Sequence, residues 1–452
     1  MEKNRPLAFR IVTLGCKTNQ SESDEISAIL AGSGLINTGI DNACDSISGT
    51  SEHIGSNVSS RISNACDYII INTCTVTGTT DGKVRQAIRA ARKSAPHSTI
   101  IVTGCYTVFN AKALKDLGAD YIFTNSEKEK LAGFILKDTK NIFQGVPSSE
   151  RSRAFIKIQD GCGQRCSYCI VPMVRGSYKS TEPEKVIEKI NYFVSHGFEE
   201  AVLTGIHAGK YGVDFTDNAG GCNSLSGLIK KILENTGIRR IRLSSIEVNE
   251  IDNDLINIIS GSNKRVAKHL HIPLQSGSNK ILSAMNRKYD AGFFNETVKA
   301  VKEKIPSITL TTDIIVGFPG ETDQDFEMTM SMLENIGFSK THVFKYSQRQ
   351  GTAAASMKGQ VDERIKKDRS RIARGAADKL RKEFILSNKG VIQETVFEEF
   401  NEKLQIASGT SENYLKVYFK PQAQNKDIIK KGKILNIMAD APYREGLFGT
   451  II

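Results

Sequence analysis

The chain has 452 residues, 39% of them hydrophobic and 25% charged, and a formal net charge of +11. This length predicts about three domains, and the composition is that of a globular protein with ample core. No apolar run approaches membrane-spanning length, and Met1 to Pro6 lead straight into a strand-like segment without an apolar signal region. Nine cysteines, an odd number with six of them in motif contexts, argue against a disulfide framework and for metal ligation in a reducing cytoplasm. The excess of positive charge points to a polyanionic partner such as nucleic acid.

Ala8 to Cys16 reads as a strand ending in a glycine turn, and Ser21 to Leu30 as a helix with Ser21 or Ser23 as its cap. Tyr68 to Cys74 and Thr99 to Cys105 are apolar, β-branched runs that predict buried strands, separated by an amphipathic basic helix over Lys83 to Ser94. Strands alternating with helices imply a parallel α/β sheet. Cys16, Cys74 and Cys105 each stand at the C-terminal end of a strand, the edge where open parallel sheets bind ligands. Buried structural cysteine explains any one of them; three at the same relative position read as a three-thiol metal site. Asn37 to Asn64 is rich in Ser, Asn, Gly and Thr and reads as a surface loop. Cys44, Cys66 and Cys222 receive no role.

Ala154 to Gln159 is a strand that delivers the chain to Cys162-Gly163-Gln164-Arg165-Cys166-Ser167-Tyr168-Cys169, a CxxxCxxC run. Thiolates are soft ligands that suit zinc and iron–sulfur clusters. A structural zinc takes four protein ligands, so a zinc knuckle would need a remote fourth. On a 4Fe–4S cube, three ligands leave one iron open, able to chelate the amino and carboxylate groups of S-adenosylmethionine (SAM). Further strands are expected at Ala201 to Gly205, Ile238 to Ser244, His269 to Ile272, Leu310 to Val316 and His342 to Phe344, with helical stretches between them. About six β/α units predict an open, partial TIM-type barrel with its site at the strand C-termini. That edge is expected to carry Gly205, Ser244 to Glu247, Gln275, Asp313 and Gly317.

Asp362 to Lys382 is a basic segment interspersed with acids, readable as a solvated helix with i,i+4 pairs. From Val391 onward, short antiparallel strands at Glu394 to Phe400, Tyr414 to Phe419 and Gly432 to Met438 predict a small β-barrel. Period-two logic puts Tyr414, Lys416, Tyr418 and Lys420 on one face, a combination suited to nucleic acid.

With these motifs in view, the chain resembles the methylthiotransferases, a family of radical-SAM enzymes that insert a methylthio group at an unactivated C–H. The resemblance rests on Gly15-Cys16, Asn72-Thr73-Cys74 and Gly104-Cys105, and on Cys162, Cys166 and Cys169 with Tyr168 just before the last thiol. It covers every segment except Asn37 to Asn64. It implies an N-terminal methylthiotransferase domain of Rossmann or flavodoxin type over residues 1–147. A partial (β/α)6 radical-SAM barrel would follow over 148–384, and a small antiparallel β-barrel that binds RNA, the TRAM domain, over 385–452. It further implies two 4Fe–4S clusters, one on Cys162, Cys166 and Cys169 and one on Cys16, Cys74 and Cys105. By the same resemblance, Tyr168 packs near the SAM adenine and Gly205 near its methionine end, while Ser245, Glu247 and Gln275 are ribose or polar contacts. The barrel cluster would cleave SAM to a 5′-deoxyadenosyl radical that takes a hydrogen from an adenine ring carbon, and the N-terminal cluster would present the sulfur.

Gly15 to Gln20, Gln159 to Cys162 and Leu203 to His207 resemble the branch of the family acting on threonylcarbamoyl-adenosine beside the tRNA anticodon, although Thr18 stands where that branch commonly has valine. The partners this implies are the tRNA anticodon stem-loop, an electron donor and a sulfur source, with no membrane. The carboxylate of such a substrate calls for a cation or several N–H donors, and Lys17, Arg175 and Arg349 are candidates. Alternative readings are methylthiolation of isopentenyl-adenosine in tRNA, modification of a ribosomal protein, and a non-catalytic, cluster-containing RNA-binding protein.

Overall fold

The computed structural model describes residues 5–42, 66–75, 78–137, 151–216, 223–422 and 429–452. The chain divides into two units. The first comprises Met1–Glu150 with Asp160–Gln164 and Cys169–Ser177; the second comprises Arg151–Gln159, Arg165–Tyr168 and Tyr178–Ile452.

In the first unit, five parallel strands lie in the order β2-β1-β3-β4-β5: β1 (Ala8–Thr13), β2 (Ile36–Asn42), β3 (Tyr68–Thr73), β4 (Thr99–Gly104) and β5 (Tyr121–Phe123). This is the doubly wound order of flavodoxin-type sheets. The apolar runs of β1, β3 and β4 are buried on both faces because helices cover both. Ile26 and Leu30 of helix Lys17–Gly32 and Leu131 of helix Lys128–Leu136 pack on Phe9, Ile11, Ile70 and Ile101. Val84 and Ile88 of helix Gly78–Ser94 pack on Val12, Ile69, Ile71 and Val102 on the opposite face.

Two expectations are corrected here. The first helix begins at Lys17, with Cys16 at its N-cap position; Ser21 and Ser23 are buried within it, so neither is its cap. Residues 37–42, expected as loop, form most of β2, an edge strand paired with β1 and tied to it by Arg10–Asp41 at 2.7 Å. The remainder of the expected loop, with Cys44, and Cys222 lie outside the described residues. Cys66 is buried against Thr38 Oγ1, 2.9 Å from its sulfur.

In the second unit, β6 (Ala154–Asp160), β8 (Glu200–Gly205) and β9 (Arg240–Leu243) form a parallel sheet edged by the two-residue β7 (Lys179–Ser180). A second parallel sheet holds β10 (His269–His271), β11 (Thr309–Val316) and β12 (Lys340–Lys345). The parallel bridges Ile241–Val266 and Ser245–His271 join the two sheets. The resulting run β6-β8-β9-β10-β11-β12, with helices between successive strands, is the open six-strand half-barrel expected from the sequence. Asp313, expected after a strand, lies within β11.

The chain ends in a closed barrel of β13 (Val391–Asn401), β14 (Ile406–Ser411), β15 (Lys416–Phe419), β16 (Ile434–Tyr443) and β17 (Gly446–Ile451). β14 and β17 were not anticipated: Ile406 to Ser411 carries mostly small polar residues and Gly446 to Ile451 two glycines, so neither shows an apolar alternation. The barrel is seated on the half-barrel by a buried charge cluster. Glu200 pairs with Arg240 at 2.5 Å and Arg242 at 2.8 Å. The same guanidinium groups donate to the Glu394 carbonyl (2.9 Å), the Ser411 carbonyl (2.9 Å) and the Glu412 carbonyl (2.8 Å), while Arg153 reaches Glu398 at 2.8 Å.

Tyr414, Lys416 and Tyr418 are thereby accounted for, and the expected nucleic-acid face is corrected. Tyr414 sits under the Arg242 guanidinium, 4.7 Å from its ring centroid, and against His269. Lys416 pairs with Glu398 at 3.0 Å, and the Tyr418 hydroxyl donates to Glu445. Only Lys420 of the four is exposed. The basic segment forms helix Glu363–Ser387, and several of its cations point inward: Arg369 pairs with Glu321 and Asp323, each at 2.7 Å, and Arg374 donates to the Val343 carbonyl at 3.0 Å.

Candidate metal centres and substrate edge

At the C-terminal edge of the first unit's sheet, Cys16 follows β1 and is exposed, while Cys74 and Cys105 follow β3 and β4 and are buried. The chain can turn at Cys105 because Gly104 adopts φ +102°, and a Cβ there would meet the Thr73 carbonyl at 2.3 Å. A dense polar network supports this edge. Asn19 donates to Asn72 Oδ1 and to the Thr73 carbonyl, both at 3.0 Å, and its Oδ1 accepts from the Cys16 thiol at 3.2 Å. Asn72 donates back to the Asn19 carbonyl at 2.9 Å and to Ser23 Oγ at 3.0 Å.

Arg175 enters the same network from the end of the short helix Val171–Arg175. Its Nη1 donates to Glu22 Oε1 at 2.8 Å and Asp160 Oδ1 at 2.9 Å, its Nη2 to Asn19 Oδ1 at 3.2 Å, and its Nε to Cys105 Sγ at 3.3 Å. Burial opposes its charge, but Glu22, Cys105 and Asp160 outweigh it and hold the guanidinium well above its ordinary range. Lys128 completes the pairing with Glu22 at 2.5 Å, burial pulling its ammonium down. Arg175 is thus saturated by its neighbours and is not a spare cation for a substrate carboxylate. Asn19, Glu22, Ser23 and Lys128 were missed from the sequence. Their signal was present in part: Asn19, Glu22 and Ser23 fall at i, i+3, i+4, a polar stripe where a core-facing helix carries apolar residues.

The CxxxCxxC run is divided: Cys162 and Cys169 belong to the first unit, Cys166 to the second. Gly161 turns the chain into Cys162 at φ +70°, where a Cβ would overlap the Ser177 carbonyl at 1.8 Å, and the Cys162 amide donates to the Gly176 carbonyl at 3.0 Å. In the second unit, the loop after helix Asn279–Ala284 anchors the other half. The Ser167 amide donates to the Met285 carbonyl at 3.0 Å, Ser167 Oγ to the Ala284 carbonyl at 2.7 Å, and Asn286 to the Arg165 carbonyl at 2.7 Å. Arg287 places Nη1 at 3.4 Å from Cys166 Sγ and 3.5 Å from the Tyr168 hydroxyl, and pairs with Glu247. Nothing near Cys166 in sequence announces Arg287, which is 121 positions away.

Tyr168 meets Phe318 edge-on at 6.4 Å, in a cluster with Ile281, Met285 and Tyr346. Gly205 ends β8 against Gln159, whose Oε1 accepts from the His207 amide at 2.8 Å. His207 in turn lies 2.6 Å from Glu250, both buried. Ser245 is exposed just beyond β9. Gln275 holds φ +65° just beyond β10, its amide donating to the Asp313 carbonyl at 2.9 Å. Gly205, Ser245, Glu247 and Gln275 therefore share the C-terminal rim of the half-barrel. Lys17 follows the exposed Cys16, and Arg349 is buried. Cys16 and Cys105 are linked through Asn19 and Arg175. Among the described residues, no three His, Cys, Asp or Glu side chains stand ready-arranged to hold a metal ion.

A parallel half-barrel with a CxxxCxxC run behind its first strand defines a radical-SAM enzyme: residues 156–333 match the radical SAM superfamily. Residues 42–124 match a family described only as uncharacterized protein family UPF0004. The chain is 36% identical to a Bacillus subtilis threonylcarbamoyladenosine tRNA methylthiotransferase over 97% of this chain and 96% of that one. It is 31% identical to a tRNA-2-methylthio-N(6)-dimethylallyladenosine synthase of Lachnoclostridium phytofermentans, over 93% and 91% of the two chains. Among solved structures, a radical SAM methyltransferase from Kitasatospora setae shares the fold at a TM-score of 0.53 and 14% identity, over 78% of this chain and 77% of that one. The chain belongs to the methylthiotransferase family, and it is a transferase that uses SAM and a 4Fe–4S cluster. No helix among the described residues is long and apolar enough to cross a membrane.

Proposed function

We propose that the chain methylthiolates threonylcarbamoyl-adenosine beside the anticodon of tRNA, in the cytoplasm, using two 4Fe–4S clusters, an electron donor and a sulfur source. The observation that carries this reading is the likeness to the Bacillus subtilis enzyme over nearly the whole of both chains. The donor chemistry fits: three thiols outside any disulfide follow β1, β3 and β4, with an N–H donor aimed at Cys105 sulfur, and Cys166 sulfur faces the Arg287 guanidinium. When bound, the clusters and SAM supply reductive SAM cleavage and the methylated sulfur.

The protein's own contribution is positional. Cys162, Cys166 and Cys169 hold one cluster; Cys16, Cys74 and Cys105 hold the other. Arg287 orients Cys166 and Tyr168 together, so that Tyr168 offers its ring to the SAM adenine. Gly205 leaves room for the methionine end of SAM, and Ser245, Glu247 and Gln275 line the rim for its ribose. Arg175 holds Cys105 and neutralises Glu22 and Asp160, and so keeps three thiolates tolerable at one sheet edge. Replacing Cys16, Cys74 and Cys105 with Ala should remove about half the iron, given two four-iron clusters, while SAM cleavage survives. Retention of full iron would disprove the second site.

Substrate choice is tested with purified, reconstituted enzyme and matched tRNAs bearing either the threonylcarbamoyl or the dimethylallyl group, read by nucleoside mass spectrometry. The expected product is the 2-methylthio form of the first. Product from the dimethylallyl tRNA alone would favour the activity in the Lachnoclostridium phytofermentans relative's name, since an apolar group asks for a pocket without an unpaired charge.

A further inference from the structure

We propose that the exposed face of helix Gly78–Ser94 is a docking surface for the phosphate backbone of the RNA substrate; this rests on the reading of the chain as a tRNA-modifying enzyme. Arg85, Arg89 and Lys93 recur at i, i+4, i+8 and are all exposed. With Gly82, Gln86 and Ala90 they line a shallow groove of about 410 Å³. The small side chains at positions 82 and 90 lower its floor, leaving three cations standing at its rim.

Two further observations set this stripe apart from an ordinary solvated face. The arginines at other places in the same unit are spent on carboxylates, Arg10 on Asp41, Arg92 on Asp120 and Arg175 on Glu22 and Asp160, as is the buried Lys128 on Glu22. Among the described residues, none of Arg85, Arg89 and Lys93 meets a carboxylate; Arg85 donates only to the Tyr106 hydroxyl, at 3.3 Å. That contact also fixes the stripe's position. Tyr106 follows Cys105, so the groove starts at the sheet edge that carries the thiols and runs back along the helix. A strand of phosphates laid along it would leave a neighbouring base at that edge. The C-terminal barrel offers less than the sequence led us to expect, because Lys416 and Tyr418 are held by Glu398 and Glu445.

The test uses the full-length, cluster-loaded enzyme and unmodified tRNA, with affinity measured by anisotropy from 50 to 300 mM salt. In the triple variant Arg85→Gln, Arg89→Gln, Lys93→Gln, dissociation should rise at least tenfold near physiological salt. The slope of log affinity against log salt should fall by about 2, as expected for three lost phosphate contacts at roughly 0.7 each. The exposed Lys112→Gln, Lys115→Gln pair on the next helix serves as the control and should leave both quantities near wild type. Unchanged affinity and slope in the triple variant would overturn the docking surface while leaving the enzyme's identity as a tRNA binder intact. An equal loss in the control would also overturn it, by showing that diffuse charge is what binds. A wild-type enzyme that does not bind tRNA would remove both this surface and the reading beneath it. Circular dichroism and iron content, expected unchanged for these surface positions, exclude misfolding as the cause.

Discussion

Replacing Cys162, Cys166 and Cys169 together with Ala should abolish the formation of 5′-deoxyadenosine from SAM while roughly half the iron remains bound. None of the three thiols is in a disulfide, Cys166 sulfur takes an N–H from Arg287, and the segment bearing it is pinned by bonds to Met285, Ala284 and Asn286. Loss of the ligands removes the open iron on which SAM would be chelated, so the effect is on chemistry and not on folding. The iron that stays would be the share proposed for Cys16, Cys74 and Cys105. Anaerobic reconstitution with a product assay decides the matter: undiminished 5′-deoxyadenosine from the triple variant would end the assignment. Loss of all iron would instead show that the two sets do not load independently.

The second large effect is on stability. Glu200 is fully buried between Arg240 and Arg242. Removing its charge strands two guanidinium groups, and breaking one partner of a buried pair typically costs about 3–5 kcal/mol. Glu200→Gln should therefore shift the urea midpoint of the second unit strongly downward, and a loss below about 1 kcal/mol would contradict this account. The pH dependence has a definite sign. Burial by itself would raise the Glu200 carboxyl, but Arg242 and then Arg240 hold it far below its ordinary range. The unfolded chain regains an ordinary carboxyl near pH 4.3. Above that pH the stabilisation is fully present. As the pH falls below it, the unfolded state takes up a proton that the native state refuses, and the stabilisation drains away. Wild-type stability should thus fall more steeply than that of Glu200→Gln below about pH 4.3. The same cluster means that excising Val391 to Ile452 would do more than remove the barrel. It would strip Arg240 and Arg242 of the carbonyls of Glu394, Ser411 and Glu412, and destabilise the half-barrel along with the loss of the barrel.

Much of the architecture was legible in the chain because its signals are local. A buried parallel strand needs an unbroken apolar, β-branched run, and Tyr68 to Thr73 and Thr99 to Gly104 supply it. Helices Ala291–Lys304 and Asp323–Ile336 begin at Asp290 and Thr322, whose side chains cap the first turns. The cysteine sets were legible for the same reason: CxxxCxxC is a spacing within one loop, and the other three thiols each close a strand. What required the tertiary structure was every feature made by residues distant in sequence. β2 exists because β1 offers an edge, not because Ile36 to Asn42 favours a strand. Ser21 and Ser23 are interior because the helix starts earlier, and Tyr414 is engaged because the Arg242 guanidinium lies over its ring and His269 against it. Which thiols end which strands follows from the chain alone, since chain direction and apolar run length suffice for that. Only the fold decided which charges stand beside them. A charge's partner is set by where the backbone returns in space, and Arg175 and Arg287 reach Cys105 and Cys166 across 70 and 121 residues of chain.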